Sequence, residues 1–282
     1  MKKGIIITLI CLLFMPLLPT LTTEAAGYSN TSIHWGFKKS RNNKPADAGA
    51  QYNNLLKKHN AFYLGDTSKK EIFLTFDNGY ENGYTPKVLD VLKEKKVPAA
   101  FFVTGYYLKD QPELIRRMAR EGHTVGNHSW HHPDLTTVND VRFKKELKMV
   151  KDEYEKITGL KEMRYIRPPR GIFSERTMAM ANEEGYQHVF WSLAFVDWKT
   201  DQQKGWKYAY DNIMAQIHPG AILLLHTVSK DNADALGKVI DDLRKQGYEF
   251  KSLDHITAPS TIPDPMLEIL GTKLKPKTAF NH

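Results

Sequence analysis

Residues 72–79 read IFLTFDNG, an almost wholly apolar run that ends in Asp77, Asn78 and Gly79. A short run rich in Ile, Leu and Phe is typical of a strand buried inside a parallel sheet. Polar residues that directly follow such a strand lie at its carboxyl end, where α/β proteins gather their functional groups. The stretch therefore predicts a buried strand with candidate site residues at its end.

Similar runs recur along the chain and alternate with amphipathic helical patterns. The predicted strands are Ile72–Phe76, Ala99–Val103, His123–Gly126, Tyr165–Ile166, Val189–Phe195 and Ala221–Leu225. One predicted helix begins at Thr85, and another carries an apolar face from Phe143 to Ile157. The remaining predicted helices are Pro112–Glu121, Ser174–Glu184, Trp206–Ile217 and Ala233–Gln246. This alternation predicts the α/β class with a mostly parallel sheet, and the number of units favours a closed or nearly closed (β/α) barrel.

The first 26 residues have the pattern of a secretory signal peptide. Lys2 and Lys3 precede an uncharged run over residues 4–18, and we expect cleavage after Ala25 or Ala26. The alternative is a membrane anchor, but the run is shorter than the roughly 20 residues that a spanning helix needs. The sequence therefore predicts a secreted protein, which would lose its only cysteine, Cys11, with the signal.

Composition divides the remaining chain into three parts. Residues 27–70 are polar apart from Trp35-Gly36-Phe37, and we expect an N-terminal extension that packs on the main domain. Residues 71–257 carry the strand–helix alternation and are long enough for one domain with a single core. Residues 258–282 contain four prolines and predict a peripheral C-terminal tail.

The net charge of +8 is scattered along the chain. A positive protein outside the cell suits an anionic wall or membrane surface. No stripe of basic and aromatic residues and no nucleic-acid motif is present, so we expect no nucleic-acid partner. We also expect no stable protein partner and a monomer.

Polar residues follow five of the predicted strands. These groups are Asp77-Asn78, His128 with His132, Arg167-Pro168-Pro169-Arg170, Asp197-Trp198, and His226. The carboxyl ends of all strands in a parallel barrel open onto one rim, so residues far apart in sequence can meet in one pocket. The pattern therefore predicts a single site built from all five groups.

His128 and His132 are candidate metal ligands. Their spacing of four places both imidazoles on one side of a helical turn, within reach of one divalent ion. Two surface or hydrogen-bonding histidines are the alternative interpretation, and His131 is either another ligand or a neighbour. Asn78 could offer only an amide oxygen, which is a weaker ligand than a carboxylate.

Two candidate proton-transfer groups accompany the histidines. Asp77 is a candidate general base for a water activated by a metal ion, although Asp-Asn-Gly is also ordinary turn chemistry. His226 is a candidate general acid for a leaving amine, because histidine titrates near neutral pH. Asp197 could hold the imidazolium of His226, and Arg167 could fix Asp77. A structural buried ion pair is the alternative for both.

These residues resemble, in order, the five motifs of carbohydrate esterase family 4, the polysaccharide deacetylases with a NodB-homology domain. The motifs are residues 75–79 (TFDNG), 128–132 (HSWHH), 167–170 (RPPR), 197–198 (DW) and 224–226 (LLH), and the resemblance covers roughly residues 70–255. It implies a distorted (β/α) barrel that hydrolyses N-acetyl groups on a sugar polymer. It also implies a divalent metal ion, with zinc expected and cobalt or another ion as alternatives.

The resemblance implies a role for each matching residue. Asp77 is the base and His226 the acid, while Arg167 and Asp197 support them. His128 and His132 bind the metal, and the backbone N–H of Arg170 helps to hold the oxyanion. We add Trp198 and Tyr80 as substrate-binding candidates. The chain departs from the family pattern at Asn78, where an aspartate is usual, and this places the third metal ligand in doubt.

The stretch FDNGYENGY over residues 76–84, together with Trp35-Gly36-Phe37, resembles the branch of delta-lactam-biosynthetic de-N-acetylases. That resemblance implies N-acetylmuramic acid in spore cortex peptidoglycan as the substrate, on glycan strands without stem peptides, at the wall or cortex side of the membrane. Arg170 could then contact the lactyl carboxylate. Two alternatives are a deacetylase of chitin-like, N-acetylglucosamine-containing or xylan chains, and a wall-binding module whose metal site has decayed.

Overall fold

The computed structural model describes residues 27–258. The predicted signal peptide and, apart from Ala258, the predicted tail lie outside this range. Within it, no helix combines the length and the apolar character required to cross a membrane.

The core of the fold is a curled parallel sheet in the order β7-β5-β4-β3-β2-β8, with β9 beside the start of β2, and a separate antiparallel pair, β1 and β6. The described strands are β1 Ile33–His34, β2 Glu71–Asn78, β3 Ala99–Val103, β4 Thr124–Asn127, β5 Tyr165–Ile166, β6 Ile172–Phe173, β7 Gln187–His188, β8 Ala221–His226 and β9 Glu249–Phe250. The predicted parallel α/β architecture is confirmed.

Helices connect the parallel strands and cover the outer face of the sheet. They are α1 Ala50–Lys58, α2 Thr85–Lys95, α3 Gly105–Asp110, α4 Pro112–Arg120, α5 Asp140–Thr158, α6 Glu175–Glu183, α7 Trp206–Gln216, α8 Lys230–Lys245 and α9 Asp254–Thr257. The ends of α5 illustrate how the sequence sets these bounds. Asn139 accepts a hydrogen bond from the N–H of Arg142, and Gly159 ends the helix in the left-handed conformation at φ 76°.

The alternating residues of β2 separate two apolar layers. Ile72, Leu74 and Phe76 belong to the large cluster shared with the helices, whereas Phe73 packs with Phe102 in a smaller cluster. Successive side chains of a strand point to opposite faces, so β2 is buried on both sides. This explains why its sequence is almost continuously apolar.

The predicted strand Val189–Phe195 is wrong in its bounds. The ladder with β5 contains only Gln187 and His188, and the following residues cross from β5 to β8. The N–H of Val189 donates to Ile166 O at 2.9 Å, and that of Ser192 donates to Ile222 O at 2.9 Å. Because this segment changes partners, it cannot form one continuous ladder. It bridges the gap between β7 and β8 and closes the half-barrel into a distorted (β/α) barrel.

Residues 27–70 contact the barrel at several points. Strand β1 pairs with β6, Phe62 bridges to Val189, and the N–H of Gly65 donates to Gly220 O at 2.8 Å. The aromatic ring of Trp35 stacks on Phe190 with centroids 4.5 Å apart. This segment therefore packs against the side of the barrel that the crossing segment closes.

Candidate active site

A cavity of about 910 Å³ opens at the carboxyl ends of the parallel strands. Seven of the predicted site residues line it, namely Asp77, Tyr80, His128, His132, Arg170, Trp198 and His226. Arg167 and Asp197 are buried directly behind the cavity wall, where they bond to Asp77 and His226. The structure thus brings residues of all five motifs to the cavity wall, and Arg167 and Asp197 support Asp77 and His226 from behind.

Asp77 is the penultimate residue of β2 and is paired with a buried arginine. Its Oδ1 accepts a hydrogen bond from Arg167 Nη1 at 2.8 Å, and the Arg167 side chain is fully buried. Burial opposes ionisation of Asp77, but the charge of Arg167, with smaller contributions from His128 and His226, holds the pKa of the carboxyl below its usual value. Asp77 is therefore an ionised carboxylate at neutral pH and can accept a proton.

Arg167 is itself held in place by the barrel. Its Nε donates to Val189 O at 3.1 Å, and its guanidinium lies over the Phe102 ring at 4.2 Å. A planar cation fixed on several sides orients the carboxylate that it contacts. Asp77 therefore keeps Oδ1 toward Arg167 and has Oδ2 available on the cavity side.

His226 ends β8 and is paired with Asp197. Nδ1 of His226 lies 2.7 Å from Asp197 Oδ1, and the backbone N–H of His226 donates to Asp197 Oδ2 at 2.8 Å. Burial disfavours the charged imidazole, but Asp197 outweighs this effect and raises the pKa of His226 above its usual value. The Nδ1–H of the imidazole donates to the carboxylate, so Nε2 is the nitrogen available for proton transfer.

Asn232, near the start of α8, is a partner of Asp197 that the sequence did not reveal. Its side-chain amide donates to Asp197 Oδ2, and both residues are buried. Asp197 thus accepts hydrogen bonds from Asn232 and from both the ring and the backbone of His226. A buried polar residue in the first turn of a helix is usually a capping group, so the sequence carried no signal for this contact.

The two predicted metal ligands lie side by side. Nε2 of His128 is 3.2 Å from Nε2 of His132, and Nδ1 of His128 donates to Arg167 O at 2.8 Å. This donation leaves the lone pair of His128 on Nε2. Burial lowers the pKa of His128 below its usual value. Burial and the neighbouring His128 together lower the pKa of His132 to about 4, so both rings are neutral at pH 7.

The histidine pair fits a divalent ion. Two imidazole nitrogens bound tetrahedrally to one zinc ion at about 2.0–2.1 Å would be about 3.3 Å apart, close to the separation of these Nε2 atoms. Asp77 Oδ2 is 3.6 Å from His128 Nε2 and adds negative charge beside the pair. Within residues 27–258, however, no group of three or more His, Cys, Asp or Glu side chains could hold a metal ion.

His131 has a different environment from its two neighbours. Its Nδ1 lies 2.8 Å from Glu146 Oε1, and its side chain is 53% exposed. Glu146 also accepts hydrogen bonds from the backbone N–H groups of Trp130 and His131. Glu146 thus holds the loop after β4 and binds His131, which favours the interpretation of His131 as a neighbour of the ligand pair.

Asn78, like Arg167 and Asp197, is a predicted site residue that does not line the cavity. Its Nδ2 donates to Thr227 Oγ1 at 2.6 Å, and Thr227 also bonds to Thr85 of α2 at 2.7 Å. The Oδ1 atom of Asn78 is buried and lacks a hydrogen-bond partner among the described residues. This oxygen is the only atom of the side chain left for a cation, and its role as a ligand stays a prediction.

Aromatic and basic side chains form the cavity wall around these groups. Trp198 is 47% exposed, with its ring centroid 5.5 Å from that of His226, and Tyr80 is 44% exposed. Arg170 faces the cavity from a turn with φ 56°. Backbone strain of this kind is concentrated at functional sites, where the surrounding structure maintains it.

Sequence reasoning singled out neither Lys109 nor Trp191, which also line the cavity. Lys109 on α3 lies over the Trp130 ring at 5.2 Å from its centroid, and Trp191 lies in the segment that crosses between β5 and β8. No ion pair within residues 27–258 includes Lys109 or Arg170, so both cations are available to a ligand. Because α3 directly follows β3, the rule that located the other groups at strand ends could have indicated this region.

The chain belongs to the polysaccharide deacetylase family, whose model matches residues 64–189. Its similarity to characterised relatives extends over most of the chain. It is 60% identical over 233 residues to the peptidoglycan-N-acetylmuramic acid deacetylase PdaA of Bacillus subtilis (strain 168), with coverage of 83% of this chain and 89% of that protein.

Solved structures show the same relationship. The structure of B. subtilis PdaA, a family 4 carbohydrate esterase, matches with a TM-score of 0.80 and 60% identity, covering 81% of this chain and 98% of that one. A family 4 carbohydrate esterase from Bacillus anthracis matches with a TM-score of 0.70 and 57% identity, covering 82% and 98%. The predicted family and its (β/α) fold are therefore confirmed.

Proposed function

We propose that this chain is a peptidoglycan deacetylase that hydrolyses the N-acetyl group of N-acetylmuramic acid. The observation that carries the proposal is the facing pair of Asp77 and His226, which are register partners on adjacent strands and both line the cavity. One is an ionised carboxylate and the other an imidazole whose pKa is raised, so they differ in protonation at the same pH. The identity with PdaA supports the choice of substrate.

In the proposed mechanism, Asp77 is the general base. Its Oδ2 accepts a proton from the water that attacks the acetyl carbon, while Arg167 keeps Oδ1 in place. His226 then donates its Nε2 proton to the sugar nitrogen as the C–N bond breaks, and Asp197 stabilises the imidazolium before the transfer. The backbone N–H of Arg170 is the proposed donor to the oxyanion.

Members of the family are metal-dependent. We propose that His128 and His132 hold a divalent ion, with zinc expected and cobalt or another ion as alternatives, and that Asn78 Oδ1 is a weak third ligand. When bound, the ion supplies Lewis acidity that polarises the acetyl carbonyl and favours loss of a proton from water. The hydrogen bond from His128 Nδ1 to Arg167 O orients the first of these ligands.

The cations of the cavity favour a muramic substrate over a neutral sugar. Arg170 is proposed to contact the lactyl carboxylate, and Trp198 and Tyr80 are proposed to pack against sugar rings. We further propose that the protein acts outside the cytoplasm as a secreted monomer, on cortex-type glycan whose freed amine later closes a muramic lactam. We also propose that the chain consists of an N-terminal extension over residues 27–70, a deacetylase domain over residues 71–257 and a peripheral tail over residues 258–282.

The test is acetate release from peptide-free cortex-type glycan, with product masses, for the wild type and Asp77→Ala, with and without a chelator. Acetate from muramic residues that is abolished by the substitution and reduced by the chelator is the expected result. If acetate were released only from chitin-like or xylan oligomers, the proposed substrate would be wrong but the proposed hydrolytic mechanism would stand. Glycan binding without acetate release, even with added zinc or cobalt, would instead indicate a wall-binding module.

A further inference from the structure

Trp35, in the segment before the barrel, bonds twice to the wall of the cavity. Its backbone N–H donates to Gly171 O at 2.8 Å, and its indole Nε1–H donates to Trp191 O at 3.0 Å. Gly171 and Trp191 both line the cavity, although they belong to segments on different sides of β6. One residue outside the five motifs therefore links two parts of the wall.

The turn that Trp35 contacts is strained. Arg170 and Gly171 are consecutive residues in the left-handed region, with φ of 56° and 68°. Such a conformation costs a non-glycine residue free energy and persists only when the surroundings enforce it. A Cβ atom on Gly171 would lie 2.8 Å from the Trp191 ring and 3.1 Å from Trp35 Cβ, so the turn is enclosed by the two tryptophans.

Trp35 is fixed on its other sides by aromatic packing. Its ring stacks on Phe190 at 4.5 Å and meets Tyr63 edge-on at 5.1 Å. The two residues before it form β1, which pairs with β6 immediately after the Arg170 turn. The turn is thus held between a strand pairing on one side and the hydrogen bonds of Trp35 on the other.

We infer that Trp35 is a positioning residue that fixes the Arg170–Gly171 turn and Trp191, and through them sets affinity for an anionic sugar. The inference rests on the proposed function, because it acts through the contact assigned to Arg170. The indole holds Trp191 through its hydrogen bond to Trp191 O, and the Trp191 ring in turn borders Gly171. Without the indole, Trp191 can shift and the turn can relax toward the right-handed conformation that Arg170 prefers. Arg170 would then leave the position from which it meets a carboxylate.

The test compares Trp35→Ala and Trp35→Phe with the wild type. The phenylalanine keeps an aromatic ring that can stack on Phe190 but loses the hydrogen bond to Trp191 O. KM and kcat for acetate release are measured on muramic glycan and on a neutral N-acetylglucosamine oligomer of equal length. Tyr28→Ala is the matched control, because Tyr28 is an aromatic residue of the same segment that packs on His59 away from the cavity.

We expect Trp35→Ala to raise KM on the muramic glycan by about tenfold or more, the scale of one lost charge-assisted contact, and to leave KM for the neutral oligomer little affected. On both substrates kcat should fall to a similar extent, because the same turn carries the backbone N–H of Arg170 that is proposed to hold the oxyanion. Trp35→Phe should lie between this variant and the wild type, and Tyr28→Ala should match the wild type on both substrates. Unchanged KM in a folded Trp35→Ala protein would overturn the inference. An equal rise of KM on both substrates would also overturn it.

Equilibrium binding of the same two glycans separates this inference from the proposed function. If the wild type releases no acetate but Trp35→Ala weakens binding of the muramic glycan alone, the proposed function fails and the role of Trp35 stands. If binding is unaffected by the substitution, Trp35 has no positioning role, whatever the activity of the wild type.

Discussion

Asp197→Asn should lower the alkaline limit of activity, the pH above which activity is lost, without changing the shape of the site. The substitution keeps the size of the side chain and an oxygen that can accept hydrogen bonds from Asn232 and the backbone of His226. It removes the negative charge that lies 2.7 Å from His226 Nδ1 and replaces the oxygen that accepts the Nδ1–H with an amide NH2 group, and both changes disfavour the protonated imidazole. The variant therefore tests whether this charge keeps His226 protonated.

The size of the effect follows from the burial of the pair. The Asp197 side chain is 1% exposed and that of His226 is 20% exposed, so water screens their interaction little. A close opposite charge moves a pKa by about 1–3 units, each worth about 1.4 kcal/mol. His226 must be protonated to act as an acid, so its activity is present below its raised pKa and is lost as the pH rises through it. Without Asp197, this loss should occur at a lower pH than in the wild type.

The assay is the pH dependence of kcat/KM for acetate release, with thermal unfolding as a check on folding. Asp211→Asn is the matched control, because Asp211 forms an ion pair of the same length, 2.7 Å, with Lys207 on the exposed surface. Such a pair contributes little, and its loss should leave the profile unchanged. An alkaline limit at the same pH in Asp197→Asn and the wild type would refute the assignment of His226 as the acid.

Three other substitutions test separate parts of the site. Lys109→Gln should weaken binding of anionic glycan by about fivefold at low ionic strength and progressively less as salt is added, measured by kcat/KM across a salt series. His132→Ala should remove most of the bound divalent ion, measured as metal per chain after dialysis, while His131→Ala should retain it because that ring is held by Glu146. Gly105→Ala should lower the free energy of unfolding by about 1–3 kcal/mol and reduce activity, because its Cβ would lie 2.1 Å from the Trp130 ring.

Each of these has a control or a contrary outcome. Lys238 lies over Tyr210 at 5.2 Å but outside the cavity, so Lys238→Gln should leave the salt dependence unchanged. Metal loss in His131→Ala equal to that in His132→Ala would make His131 a ligand. Gly237→Ala, in the interior of α8 with Val91 3.8 Å from the new Cβ, should stabilise the protein by about 0.5–1 kcal/mol. A destabilised Gly237→Ala would show that the steric account is incomplete.

The sequence predicted most of what local chemistry determines. Strand β3 has its predicted bounds, and the strand ends were located closely enough to assemble Asp77, His128 and His226 in one cavity. The signal was strong because a buried strand is apolar up to the residue at which it reaches the rim. Asn78 shows the limit of this rule, since adjacent residues of a strand face opposite sides and only Asp77 reaches the cavity wall.

The sequence did not predict features that depend on distant contacts. The segment after His188 is apolar enough for a strand, but it changes partners between β5 and β8, and no local pattern records that change. Asn232 and Asp197 are 35 residues apart and meet only because α8 starts at the rim. Trp35 contacts Trp191 across 156 positions. Such contacts are decided by how the barrel closes.

The pairing of Asp77 with His226 in the β2–β8 register has a consequence for how the enzyme could diversify. The main-chain hydrogen bonds of the sheet hold the backbones of these two residues on neighbouring strands, about 4.8 Å apart, and no connecting loop sets that spacing. Side chains such as Trp198, Tyr80 and Lys109 can therefore be exchanged while Asp77 and His226 keep their relative position. The barrel behaves as a fixed hydrolytic unit on which recognition of a new polymer can be built from the rim alone.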